Sequence, residues 1–241
     1  MADIVYEIGD TTETRAFWGR NSEFEPVFHT LITLTNKCFG REYQPANRAE
    51  DIVFDLGQAC RDDFYEVVML ASHGLGNGGM KLLRGMFERA VTAAYLIKNP
   101  DKAERFVRYG AIQEHRMMNA ALVVASEDEF DEAMGPGNTV AEIKQRYNEI
   151  KPEFEAVVCS KCGKTRTDGS WDPLDVVSMA RKVGGPFLTF LSGAYAIPNS
   201  QVHATLASIC RKKSPRDEAD CAFKLAFGLM FAVLGRVKSR V

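Results

Sequence analysis

The sequence predicts an all-α fold, a single bundle-like helical domain over residues 1–241 with one irregular loop. Three features carry this. Apolar residues recur with a period near 3.6 almost throughout, no segment alternates convincingly with period two, and proline–acid pairs behind Ser, Asn or Asp mark helix starts. Any sheet is therefore small.

The elements follow in order. Phe24, Val27, Phe28, Leu31 and Cys38 form one stripe and predict a helix over 22–39. Val53, Leu56, Cys60, Phe64, Val67 and Ala71 form a second over 48–72. The glycines at 74, 76, 78 and 79 separate it from a third helix over 77–98. Asn99-Pro100-Asp101 offers a cap, a first-turn proline and an acid, opening a fourth helix over 100–125. After Gly135-Pro136-Gly137 the stripe Val140, Ile143, Tyr147, Ile150 and Phe154 predicts a fifth over 138–151. Residues 155–171, with two cysteines, Gly163 and Gly169, form the longest irregular stretch. Asp172-Pro173-Leu174-Asp175 starts a helix over 173–183, with Trp171 and Val176 placed for a hydrophobic staple. Gly184-Gly185-Pro186 stops it, and further helices follow over 186–196, 200–212 and, behind Ser214-Pro215-Arg216-Asp217, 215–238.

Composition narrows the function. With 30 basic and 32 acidic side chains the net charge is −2, which argues against a dedicated DNA-coating protein. Hydrophobic residues at 46% and charged residues at 26% exclude a disordered or collagen-like chain. A chain of this size buries roughly 70–75% of its unfolded surface and needs no disulfides. The N-terminus shows no basic segment followed by an apolar run, and the most apolar stretch, 221–235 with Lys224 inside it, is shorter than the roughly 20 residues a span requires. The six cysteines read as reduced thiols, so the expectation is a cytoplasmic protein without a membrane partner.

Cys159-Ser160-Lys161-Cys162-Gly163 is half of a zinc-ribbon knuckle: two thiolates on one ion, with a glycine letting the backbone fold beneath them. A closed site needs two more ligands, from His203, Cys210, Asp168 or a second chain. The alternatives are an unmetallated loop or a redox pair. Zinc here would be structural.

The third helix is apolar nearly all round, which makes it central. Arg84 and Glu88, four apart on its narrow polar strip, then line a groove or an internal network, against the plainer reading of a solvated ion pair. On the fourth helix Arg108 and His115 lie two turns apart and share a face. Their spacing resembles the Arg-x(4–6)-His motif of HEPN helical ribonucleases, although Tyr109 follows the arginine where a small polar residue is more usual there. That resemblance implies metal-independent RNA cleavage, the histidine in acid–base work and the arginine on phosphate. Ser200 and His203 are one turn apart, but no nucleophile elbow accompanies them; the plainer reading is a helix cap and a hydrogen-bonded core histidine. The basic run 211–216 is a solvated turn or, with Arg236, Lys238 and Arg240, a phosphate-facing patch.

The segment from Gly76 to Ala90, with Arg84-x-x-x-Glu88 followed later by Ser200-x-x-His203 and a Cys-x-x-Cys loop before Ser170-Trp171, resembles a bacterial family of helical proteins of unknown function over most of 50–235. The resemblance implies an all-helical fold and a polar cluster, and no reaction. Two function classes stand. One is a binding or regulatory module, a candidate homo-oligomer, built on a buried Arg84/Glu88/His203 cluster. The other is a nucleic-acid-directed enzyme using Arg108 and His115 or the Arg84/Glu88/His203 set, which is the less favoured.

Overall fold

A computed structural model describes residues 11–159, 162, 164–202 and 214–237, the side chains at 157–159, 164, 201 and 237 excepted. The fold is all-α, with one small hairpin. Its helices are α1 (Thr11–Arg20), α2 (Glu25–Phe39), α3 (Arg48–Ser72), α4 (Gly76–Lys98), α5 (Ala103–Arg108), α6 (Gly110–Ala121), α7 (Glu127–Met134) and α8 (Val140–Ile150). Strands β1 (Glu155–Cys159) and β2 (Lys164–Thr167) follow, then α9 (Val176–Val183), α10 (Pro186–Phe190), a π-turn over Leu191–Ala196, α11 (Ile197–Val202) and α12 (Pro215–Val237). No helix among the described residues is long and apolar enough to cross a membrane. The described residues fall into two compact units, one up to Pro100 together with everything from Val176 onward, the other Asp101–Asp175.

The first unit is built on α3, α4 and α12, which share the largest interfaces. The predicted α3 stripe is the buried one: Val53, Cys60, Phe64, Val67 and Ala71 are at most 3% exposed. From α4 come Leu83, Met86, Phe87 and Val91, and from α12 Phe223, Ala226 and Met230, all fully buried. The glycines before α4 do more than separate two helices. Gly74 has φ +75 and caps α3, but Gly76 and Gly79 lie inside α4 and face α12. A methyl group on Gly76 would stand 2.6 Å from the Pro215 carbonyl oxygen, and one on Gly79 would stand 3.3 Å from Ala222 Cβ. Glycine is needed there because the two backbones touch.

Several predicted boundaries hold. Asn47 caps α3, its side chain accepting from the Glu50 N–H at 3.0 Å. Ser214 Oγ accepts from the Asp217 N–H at 3.2 Å and starts α12. Gly184 and Gly185, with φ 70 and 60, turn the chain into Pro186. Lys98 Nζ donates to the carbonyls of Lys182 and Val183, satisfying the open end of α9. Asp172 departs from the expectation. Its carboxylate takes the Leu174 N–H at 2.9 Å and pairs with Lys102, and the helix begins at Val176.

In the second unit the helix expected over 100–125 is broken. A 3-10 turn, Pro100–Lys102, precedes α5, and Tyr109 separates α5 from α6. Tyr109 is 3% exposed, its ring 5.1 Å from Phe154 and its hydroxyl donating to the Asp168 carbonyl. Helix α7 is held by a Ser126–Glu129 capping box and by Phe130, which packs on Met118, Val140 and Ile143. Residues 155–167, expected to be irregular, include an antiparallel hairpin with Glu155 opposite Thr167 and Cys159 opposite Lys164, bulged between Val157 and Cys159. The strands are too short for alternation to show in the sequence.

Candidate functional site

The polar strip of α4 positions the first candidates. Arg84 Nε donates to Glu88 Oε1 at 3.0 Å, one helical turn away. The guanidinium lies over the Tyr195 ring, 5.8 Å from its centroid, and that ring also packs on Phe87 at 5.7 Å. Tyr195 belongs to the π-turn, which ends two residues before the buried Pro198. Proline removes the N–H an α-helix would donate to residue 194 and its ring crowds that carbonyl; the widened turn makes room, and it carries Tyr195. The side chains of Arg84 and Glu88 are 26% and 36% exposed. The expected buried cluster is therefore corrected: the pair lines a rim. Among the described residues no hydrogen bond reaches the two Nη nitrogens of Arg84.

Ser200 lies on α11, which packs along α4, and its hydroxyl donates to the Ile197 carbonyl at 2.7 Å. His203, the remaining member of the expected cluster, lies outside the described residues.

Arg108 and His115 have separate partners within their own unit. Arg108 grips Glu153 with both Nε, at 2.9 Å, and Nη2. It acts alongside Arg105, which donates to the carbonyls of Trp171 and Glu153, and Arg116, which donates to the carbonyl of Asp168 and to Tyr109 Oη. Together these arginines clamp the segments at the hairpin's base. His115 instead stacks on Tyr147, the ring centroids 3.7 Å apart and the planes 8° from parallel. Asn119 Nδ2 stands 3.2 Å from His115 Nδ1, where an amide N–H can donate only to an unprotonated nitrogen. Burial, then Lys144 and Lys151, hold the imidazole below its ordinary pKa. The cleft that Arg108 lines, about 290 Å³, is bordered by Glu114, Arg146 and Glu149 and not by His115. Tyr109, between α5 and α6, keeps helical dihedrals, φ −62 and ψ −19, so what separates Arg108 from His115 is the partner each one has taken.

Cys162 is exposed in the turn of the hairpin, and the backbone of Cys159 ends β1. The Cys159 side chain and Cys210 lie outside the described set. Among the described residues no three His, Cys, Asp or Glu side chains gather as a metal would require.

The sequence reading missed a second charged pair of the α3–α4 interface. Asp63 is 9% exposed and takes a hydrogen bond from Arg89 Nη1 at 2.5 Å. Burial raises the Asp63 pKa, and Arg89 opposes the rise. Two signals pointed to the pair. Asp63 interrupts the apolar stripe between Cys60 and Val67, and Gly85 precedes Arg89 by one turn. A methyl group on Gly85 would stand 2.9 Å from Arg89 Nη1, so the glycine clears the path of the guanidinium.

No curated protein and no solved structure matches the chain. A family pattern does match, over residues 50–218, from the start of α3 into the first turn of α12. That span contains Arg84, Glu88, Tyr195 and Ser200, and it excludes α1, α2 and most of α12. With more than two thirds of its length matched, the chain belongs to the family of unknown function DUF5677.

Proposed function

We propose that this protein is a binding module whose α4 rim takes the anionic group, carboxylate or phosphate, of a small polar ligand. The supporting observation is the fixed guanidinium. Arg84 is tied through Nε by Glu88 and laid on Tyr195, and no hydrogen bond reaches its Nη edge among the described residues. A planar fork held this way offers two parallel N–H donors to one anion, with little side-chain entropy left to lose. Glu88 Oε2 would accept from a ligand hydroxyl or amine. Ser200 and, three residues further along the sequence, His203 would complete the polar set. The ribonuclease reading through Arg108 and His115 has no comparable support: the arginine is paired with Glu153, and the histidine is stacked on Tyr147 with its pKa lowered by burial.

The test is isothermal titration with inorganic phosphate, acetate and adenosine 5′-monophosphate. At least one should bind saturably, and Arg84→Gln should abolish that binding while Arg108→Gln leaves it intact. Equal binding by wild type and Arg84→Gln would overturn the reading.

A structural zinc on Cys159 and Cys162 is proposed alongside. It is supported by the Cys-x-x-Cys-Gly sequence at a hairpin turn, with the base of that hairpin clamped by arginines. The other two ligands would come from residues outside those described or from a second copy.

A further inference from the structure

A second cavity, of about 530 Å³, opens in the first unit between the end of α2 and the last turns of α12. Every described residue lining it lies outside the segment matched by the family, and none belongs to the α4 rim. Leu34, Phe231 and Leu234 line it together with the exposed side chains of Lys37 and Arg41, the latter also donating to the Cys38 carbonyl and lying over the Tyr43 ring. The volume falls in the range of small-molecule sites. Phe231 is 43% exposed although it lies on a helix whose neighbouring Met230 is fully buried. Such exposure leaves an aromatic wall available to a ligand.

Gly235 sharpens the point. It lies within α12 and has no positive φ, so it is not a left-handed cap. A methyl group there would meet nothing within 4 Å among the described residues, so none of these requires glycine by close packing. Elsewhere on the same helix, a methyl on Gly228 would strike the Phe190 ring at 2.6 Å. A helical glycine costs stability relative to alanine, and at 235 what its missing side chain provides is open space in the cavity.

We propose that this cavity binds a soluble amphipathic anion, its hydrocarbon chain against Leu34, Phe231 and Leu234 and its anionic head between Lys37 and Arg41. Apolar walls reward the chain and two cations in the lining reward the head, so neither an uncharged polar molecule nor a cation fits both parts.

Dodecanoate is the probe, with 1-dodecanol for the chain without the charge and acetate for the charge without the chain. In titrations of the full chain, dodecanoate should bind one to one, and acetate should not bind at this site. Lys37→Gln with Arg41→Gln should weaken dodecanoate at least tenfold and change dodecanol less than threefold. Gly235→Leu should fill the cavity and remove both without lowering Tm. Because these residues are remote in sequence from Arg84, Arg84→Gln should leave dodecanoate binding unchanged, which separates this proposal from the α4 reading. Three results would each overturn it: no saturable dodecanoate binding, full binding by a folded Gly235→Leu variant, or sedimentation with phosphatidylglycerol vesicles without binding of free dodecanoate.

Discussion

Gly76→Ala tests the packing that positions α4. The added methyl would lie 2.6 Å from both the Pro215 carbonyl oxygen and the Glu218 carbonyl carbon. Carbon atoms rest about 3.5–4.0 Å apart, so α4 must retreat from α12 by about 1 Å. Overpacking of this kind costs about 1–3 kcal/mol, and the upper part of the range applies because the obstacle is backbone rather than a side chain that can rotate. Replacing a helical glycine returns at most about 1 kcal/mol, and less at the first residue of a helix. The net cost is about 2 kcal/mol, which lowers Tm by about 4–8 °C in a chain of this length. The assay is thermal and urea denaturation followed by circular dichroism. Gly235→Ala is the matched control: with nothing within 4 Å among the described residues it should gain about 0.5–1 kcal/mol. An unchanged or raised Tm for Gly76→Ala would refute the idea that touching backbones set the α4–α12 separation.

Other outcomes follow from the same geometry. Glu88→Gln should cost less than about 1 kcal/mol, since an i,i+4 pair at 26% and 36% exposure is only partly desolvated; a loss above 3 kcal/mol in urea titration would restore the buried-cluster reading. Asp172→Ala should cost about 2–3 kcal/mol, because it removes the carboxylate, only 1% exposed, that pairs with Lys102 and leaves the Leu174 N–H without that acceptor; a loss below 0.5 kcal/mol in the same assay would contradict this. His115 titrates below its unfolded value, so the unfolded chain binds the extra proton first and stability falls as pH drops below about 6.5, continuing down to the folded pKa. Urea midpoints from pH 8 to 5 should show that slope flattened in His115→Phe, and an unchanged slope would assign it to other groups. Protein purified without chelator should carry zinc that Cys162→Ser removes; wild type with less than one zinc per two chains would leave the hairpin unmetallated.

How much of this was legible in the sequence depended on how many side chains shared each signal. The α3 and α4 stripes run through six or seven turns, and the glycine cluster after α3 marked where that helix ends. Helix α1 was missed because Phe17 is its one buried anchor. Helix α7 carries a Ser126-x-x-Glu129 capping box that was readable, but its acidic sequence masks the single apolar contact of Phe130. Tyr109, which lies between α5 and α6, is buried against Phe154 with its hydroxyl on the Asp168 carbonyl, tertiary contacts that periodicity does not encode. At the site, the Arg84–Glu88 pairing follows from helical spacing, whereas the position of Tyr195 depends on a π-turn relieving Pro198. The spacing of Arg108 and His115 was legible, but their partners were not: Arg108 pairs with Glu153 at the hairpin's base and His115 stacks on Tyr147, contacts made with residues far along the chain.

The central claim is that Arg84 presents a preorganised anion site, and the side-chain ¹⁵Nε and ¹⁵Nη resonances of that arginine report on it directly. Assigned by comparison with Arg84→Lys, they should shift saturably as inorganic phosphate or adenosine 5′-monophosphate is added, with the Nη signals moving more than Nε because Glu88 already holds Nε. The Arg108 signals should stay in place, since Glu153 occupies that guanidinium. Arg84 resonances that do not move while those of Arg108 or another arginine do would contradict the account and relocate the site.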